Sequence, residues 1–107
     1  MNDVIVVLVT AKTREEAEKI GRTLVTEGLA ACVNLVTPVS SIFSWEGKIE
    51  QEEETLLIIK SLSSLFGKLE ARVKEIHSYQ VPEIIALPVT AGSNRYLEWV
   101  KSLCQEK

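Results

Sequence analysis

Three observations in the sequence predict an α+β fold. A β-branched run, Val4-Ile5-Val6-Val7-Leu8-Val9, opens the chain. A β-rich stretch, Leu29 to Trp45, and a second one, Lys48 to Lys60, which is acidic first and apolar at its end, flank a glycine turn. Segments with helical spacing of apolar residues come between and after these strands. The chain has 107 residues, 46% of them hydrophobic and 25% charged, which suits one globular domain with one core. Residues 1–107 read as a single domain, since no linker, repeat or low-complexity segment divides them.

The run Val4 to Val9 is apolar at every position, as in a central strand covered on both faces. Thr13 and Glu16 have capping-box spacing. Ala17, Ile20, Leu24 and Val25 follow at helical intervals until Gly28 supplies a left-handed stop. Leu29 to Trp45 is the second strand, in which Pro38, lacking an N–H, marks an edge position or a bulge. Glu46-Gly47 is a two-residue turn. It pairs Trp45 with Lys48, Phe43 with Glu50, Ser41 with Glu52 and Val39 with Glu54. Continued without a slip, the register pairs Leu35 with Ile58 and Val33 with Lys60.

A second helix, opening at Ser61 or Ser63, carries Leu62, Leu65, Phe66, Leu69, Val73 and Ile76 on one face. The segment His77 to Pro82 breaks it. Glu83 to Val89 is a fourth strand ended by Pro88. Gly92 and Ser93 open a last helix with Tyr96, Leu97, Val100, Leu103 and Cys104 on its apolar face. The order β-α-β-β-α-β plus a terminal helix defines a ferredoxin-like sandwich, an antiparallel sheet with helices on one face.

The hairpin is too long for such a domain. Val33 to Trp45 would extend roughly 40 Å at ~3.3 Å per residue, about twice the usual strand. Its base is apolar, with Leu56-Leu57-Ile58-Ile59, but its tip is acidic. The tip must project or lie on another chain. Trp45 at the turn has no core of its own and is an interface anchor; Trp99 is either a second anchor or a core residue. Ladder bonds and Trp45 docking on a sister chain, with acids limiting further growth, explain the length, the aromatic and the glutamates together.

Net charge is −3, which opposes a general nucleic-acid grip. The first and fourth strands hold no aromatic residue to stack bases, which argues against RNA. Cys32 and Cys104 have neither zinc-finger spacing nor the number for a disulfide framework, so both read as packed thiols in a reducing compartment. Met1-Asn2-Asp3 lacks a basic leader, and the run Val4 to Val9 is too short to span a bilayer. The expectation is a cytoplasmic protein without a membrane partner.

For chemistry, His77 with Tyr79 and Glu83 nearby offers a general base. No paired nucleophile or phosphate-cradling loop accompanies it, so the expectation is not an enzyme. For metals, His77 supplies an imidazole, and Glu50, Glu52 and Glu54 share one strand face that could offer oxygen ligands to a hard cation. Charge on a long edge strand also serves simply to block stray pairing.

Ala30-Ala31-Cys32-Val33-Asn34, Ser41-Ile42-Phe43-Ser44-Trp45-Glu46-Gly47-Lys48-Ile49, Lys60, the His77-to-Glu83 segment and Tyr96-Leu97-Glu98-Trp99 resemble the CutA family of divalent-ion-tolerance proteins, in order and over nearly the whole chain. The resemblance implies a homotrimer whose long hairpins pair between subunits, and a cytoplasmic role in copper response. It implies no tightly bound cofactor, and Cu2+ or another divalent cation as a weakly held ion. The family's copper-binding members carry a cysteine and two adjacent histidines where this chain has Val9, Ile76 and His77, so only His77 carries over. The family's His-Pro-Tyr is here His77-Ser78-Tyr79, and its tyrosine before the tryptophan is Phe43. Likeness of the trimer to PII-type signalling proteins gives the alternative, a small-molecule sensor or signalling scaffold. Its anion pocket would lie between subunits near Trp45, Lys60, His77, Tyr79 and Glu83.

Overall fold

The computed structural model describes residues 3–104; Met1 and Asn2, read above for a leader, lie outside the described residues, as do residues 105–107. The elements are β1 (Val4–Ala11), α1 (Arg14–Thr26), β2 (Cys32–Trp45), β3 (Lys48–Leu62), a 3-10 turn (Ser63–Leu65), α2 (Phe66–Ile76), β4 (Ile84–Pro88) and α3 (Asn94–Leu103). The four strands form one antiparallel sheet in the order β2-β3-β1-β4. This is the expected ferredoxin-like arrangement with a long β2-β3 hairpin and a C-terminal helix.

Local chemistry sets the helix ends. The Glu16 N–H donates to Thr13 Oγ1 at 3.1 Å, capping α1. Gly28 takes φ 73°, which lets Leu29 N–H reach the Leu24 carbonyl (2.9 Å) and Gly28 N–H the Val25 carbonyl (3.1 Å). Those two bonds satisfy carbonyls that would otherwise be orphaned at the helix end. In the hairpin turn Glu46 and Gly47 have φ of 51° and 80°, the mirror-image turn that matches strand twist.

The sheet has two unlike faces. Ile5, Val7, Val9 and Ala11 pair across with Ser61, Ile59, Leu57 and Thr55. All eight are buried, the apolar ones against Ala17, Ile20 and Leu24 of α1 and Leu69 and Val73 of α2. Gly21 lets α1 approach β2 closely: a Cβ there would sit 3.2 Å from Val33 Cγ1. The other face holds Val6, Leu8, Leu56 and Ile58, half-buried, with Ile85, Leu87 and Val36 exposed. The expectation that β1 is covered on both sides therefore fails within one chain. A smaller cluster, Val4, Ala31, Leu65, Val100 and Cys104, joins α3 to the end of the sheet where β1 begins.

The structure corrects several boundaries. Ser61 and Leu62 belong to β3, not to the second helix, because they complete the ladder with Ile5 and Val4. Leu29 to Ala31 lie outside β2, with Ala31 N–H bonded to the Lys60 carbonyl. Glu83 and Val89 fall outside β4. On α3, Leu97, Val100 and Cys104 pack inward, while Tyr96 and Leu103 join Trp99 on an exposed stripe.

The hairpin register from Trp45↔Lys48 to Val39↔Glu54 is as predicted, but Leu35 then pairs with Leu57 and Val33 with Ile59. A bulge between Val36 and Val39 shifts the register by one residue, and Pro38 lies within it. The shift has a hydrophobic cause. One slip exchanges the faces of a strand, and this one turns Val33 and Leu35 toward the main core.

The ribbon beyond Thr55 extends past β1, whose last pair is Ala11↔Thr55. The molecule is accordingly 44 Å in its longest dimension against 26 and 22 Å in the others. Leu57→Ala is expected to cost about 2–5 kcal/mol, read as a lower urea midpoint. Val25→Ala, on the exposed side of α1, should shift stability by less than ~0.5 kcal/mol.

Candidate functional site

At the end of α2 the chain turns at His77, whose extended backbone (φ −87°, ψ 141°) stops the helix. This directs the imidazole under the end of β1. His77 Nε2 lies 2.7 Å from the Thr10 carbonyl oxygen, and Tyr79 N–H donates to Nδ1 at 3.0 Å. Nδ1 is therefore the acceptor and Nε2 carries the proton that Thr10 receives. The His77 side chain is 0% exposed, with a Glu16 oxygen 3.7 Å from Nδ1. The Tyr79 ring stands 4.8 Å from the imidazole and its hydroxyl donates to Glu54 Oε2 at 2.7 Å.

Glu16 ties this cluster to α1. One carboxylate oxygen accepts the Lys12 N–H at 3.2 Å and the other the Ser78 N–H at 2.6 Å. Burial by itself raises the Glu16 pKa. The hydrogen bonds from Ser78 and Lys12, with His77 nearby, outweigh it and hold the carboxyl below its ordinary value. Burial, then the bond to Glu54, pushes the Tyr79 phenol well above its ordinary value. Sequence reasoning passed over Glu16 as anything but a cap. Its capping-box position was the available signal, but its bond to Ser78 joins residues far apart in the chain.

The sequence-nominated residues do not converge. His77, Tyr79 and Glu54 meet. Glu50 and Glu52 lie farther out along the same strand face, with Glu52 exposed and Glu50 half-buried. Lys60 pairs with Val6, away from Thr10, and its ammonium is hydrogen-bonded to Asn34 Oδ1. Trp45 is at the ribbon tip, 62% exposed, and Glu83 is exposed just before β4. The five residues of the expected anion pocket are thus not gathered within one chain.

The donors do not fit a closed copper site. Both His77 nitrogens are engaged with the main chain, and among the described residues no group of three His, Cys, Asp or Glu side chains is placed to hold an ion. Cys32 and Cys104 are free thiols. Cys104 is buried, and that burial raises its pKa. No helix among the described residues is long and apolar enough to cross a membrane.

A ferredoxin-like domain with a bare apolar sheet face and an overlong ribbon is the class of protein that the fold defines. The CutA1 divalent ion tolerance protein family model matches residues 5–103, and the chain belongs to that family. It is 50% identical over 98 residues to "Protein CutA, chloroplastic" of Arabidopsis thaliana, covering 92% of this chain and 54% of that one. It is 46% identical over 96 residues to the divalent-cation tolerance protein CutA of Thermus thermophilus, covering 90% and 93%. It is 44% identical over 97 residues to human protein CutA, covering 91% and 54%. The chain thus spans about half the length of these plant and human relatives. Among solved structures, CutA1 from Oryza sativa superposes with a TM-score of 0.94 at 44% identity, over 97% of this chain and 95% of that one. The Thermus thermophilus protein does so at 0.93 and 43%, over 95% and 99%.

The site makes a pH prediction. The folded-state pKa of Glu16 is depressed, so its stabilisation is present above the ordinary carboxylate range and lost as pH falls through the folded value. Glu16→Gln should cost about 1–2 kcal/mol at pH 7 and less at pH 3, measured by urea unfolding at both. For Tyr79 the sign reverses. Its contribution is full below the ordinary tyrosine pKa of about 10 and fades above it, and Tyr79→Phe should flatten that alkaline loss.

Proposed function

We propose that this chain is the subunit of a homotrimer acting in divalent-cation tolerance, copper included, in the cytoplasm and without enzymatic chemistry. The observation that carries this reading is the ribbon beyond Thr55. It bears Ile42, Trp45 and Ile49 at 67%, 62% and 77% exposure, and none of residues 39–54 is buried. It lies beside a sheet face where Val36, Ile85 and Leu87 are also bare. Apolar surface of this kind is stable in water when another chain covers it. Closed rings of identical chains cover it without open-ended growth. The Thermus relative's name supplies the tolerance role.

In this reading divalent ions bind weakly. His77 would have to release the Tyr79 amide or the Thr10 carbonyl to coordinate, and of the carboxylate row Glu50, Glu52 and Glu54, the last is held by Tyr79. The second reading, a trimeric sensor of small anions, is favoured by one feature. Lys60 is a half-buried cation on the bare sheet face, bonded to the neutral Asn34 amide and to no acid among the described residues.

Size-exclusion chromatography with light scattering should give three chains per particle. Trp45→Glu combined with Ile49→Glu should release monomers with unchanged far-UV circular dichroism; a folded wild-type monomer at micromolar concentration would refute the assembly. Copper titration should show weak binding that His77→Ala weakens further, and equal affinity of the two proteins would remove His77 as a ligand. A metabolite screen by thermal shift separates the second reading: stabilisation by an organic anion without metal, lost in Lys60→Ala, would favour it.

A further inference from the structure

We infer that Tyr79 is a positioning residue: it braces the root of the ribbon and fixes the direction in which the ribbon leaves the sheet. Three features coincide at one level of β3. The β1 ladder ends at Ala11↔Thr55. The β2 bulge falls opposite the same place, between Val36 and Val39. Thr55 Oγ1 is bonded across to Thr37 Oγ1 at 3.0 Å. Outward of this level the sheet is reduced to two strands.

A two-stranded ribbon twists more than a wider sheet, and a bulge bends the strand that carries it. The level of Thr55 is therefore where the ribbon can swing. Glu54 is the first residue beyond it, and the Tyr79 hydroxyl holds its carboxylate at 2.7 Å. The other end of Tyr79 is anchored in the domain. Its N–H is on His77 Nδ1, His77 is fixed to Thr10, and Ser78 is fixed to Glu16. Among the described residues, this is the one side-chain hydrogen bond between the ribbon and the rest of the domain.

The inference deepens the assembly reading and rests on it only for its consequence: a braced ribbon meets a sister chain already aligned, saving the ordering cost that a swinging one would incur on docking.

Hydrogen–deuterium exchange on the full chain tests it. Tyr79→Phe should speed exchange of amides 39–54 about tenfold, the loss expected for one charge-assisted hydrogen bond, while Val7, Val9, Leu57 and Ile59 keep wild-type rates. Glu54→Ala should do the same. The double variant should add nothing, and Glu54→Gln, which keeps an acceptor oxygen, should retain most of the protection. Subunit mixing of labelled trimers should show slower reassembly in Tyr79→Phe. Equal acceleration across all strands, no acceleration, or additive effects in the double variant would overturn the brace. If the wild type is a monomer, the assembly reading fails, and ribbon exchange still decides the brace.

Discussion

The structure depends on a mismatch of lengths within one sheet. β3 runs from Lys48 to Leu62, but β1 accompanies it only as far as Thr55. Where both are present, Leu57 and Ile59 lie against Val9 and Val7 under two helices and lose all contact with water. Each such side chain contributes roughly 1.5–3 kcal/mol on burial. Beyond Thr55 the ladder bonds continue, but none of residues 39–54 is buried. An isolated two-stranded ribbon is at best marginally stable in water. The domain therefore carries a segment that its own core does not cover, and the assembly we propose would cover it.

The same mismatch explains the polar cluster at the end of β1. A strand that stops leaves main-chain groups at its end that need partners. The Thr10 carbonyl finds the His77 ring, the Lys12 and Ser78 amides find Glu16, and the Tyr79 amide finds the other imidazole nitrogen. The family's histidine position is thus occupied structurally, as an enclosed ring hydrogen-bonded through both nitrogens. Val9 and Ile76 already depart from the ligand set implied by resemblance to copper-binding members. The engagement of His77 by Thr10 and Tyr79 deepens that departure.

The exposed surfaces differ in chemistry. The bare sheet face combines aliphatic side chains with the Lys60–Asn34 pair. Beside its β1-start end, α3 exposes Tyr96 and Trp99 with ring centroids 5.5 Å apart. The tip combines exposed Ile42 and Ile49 with exposed Glu46, Glu52 and Glu53, so an added strand would gain hydrophobic contact while repelling a second acidic ribbon. This is a balance between pairing and its prevention.

Sequence alone determined the element order, both α1 caps, the Glu46-Gly47 turn and the tip register, because each depends on residues close together along the chain: Thr13 with Glu16, Gly28 with Leu24, Trp45 with Lys48. It also showed that the hairpin exceeds the core, since apolar residues and acids divide along its length. Tertiary structure alone decided the slip at Pro38, because only packing against α1 rewards turning Val33 and Leu35 inward. It likewise decided that Leu62 continues a strand, that Trp99 faces outward, and that His77 is enclosed by Thr10, Glu16 and Tyr79. Each of these follows from burial or from hydrogen bonds between distant segments, energies that exist only once those segments have met.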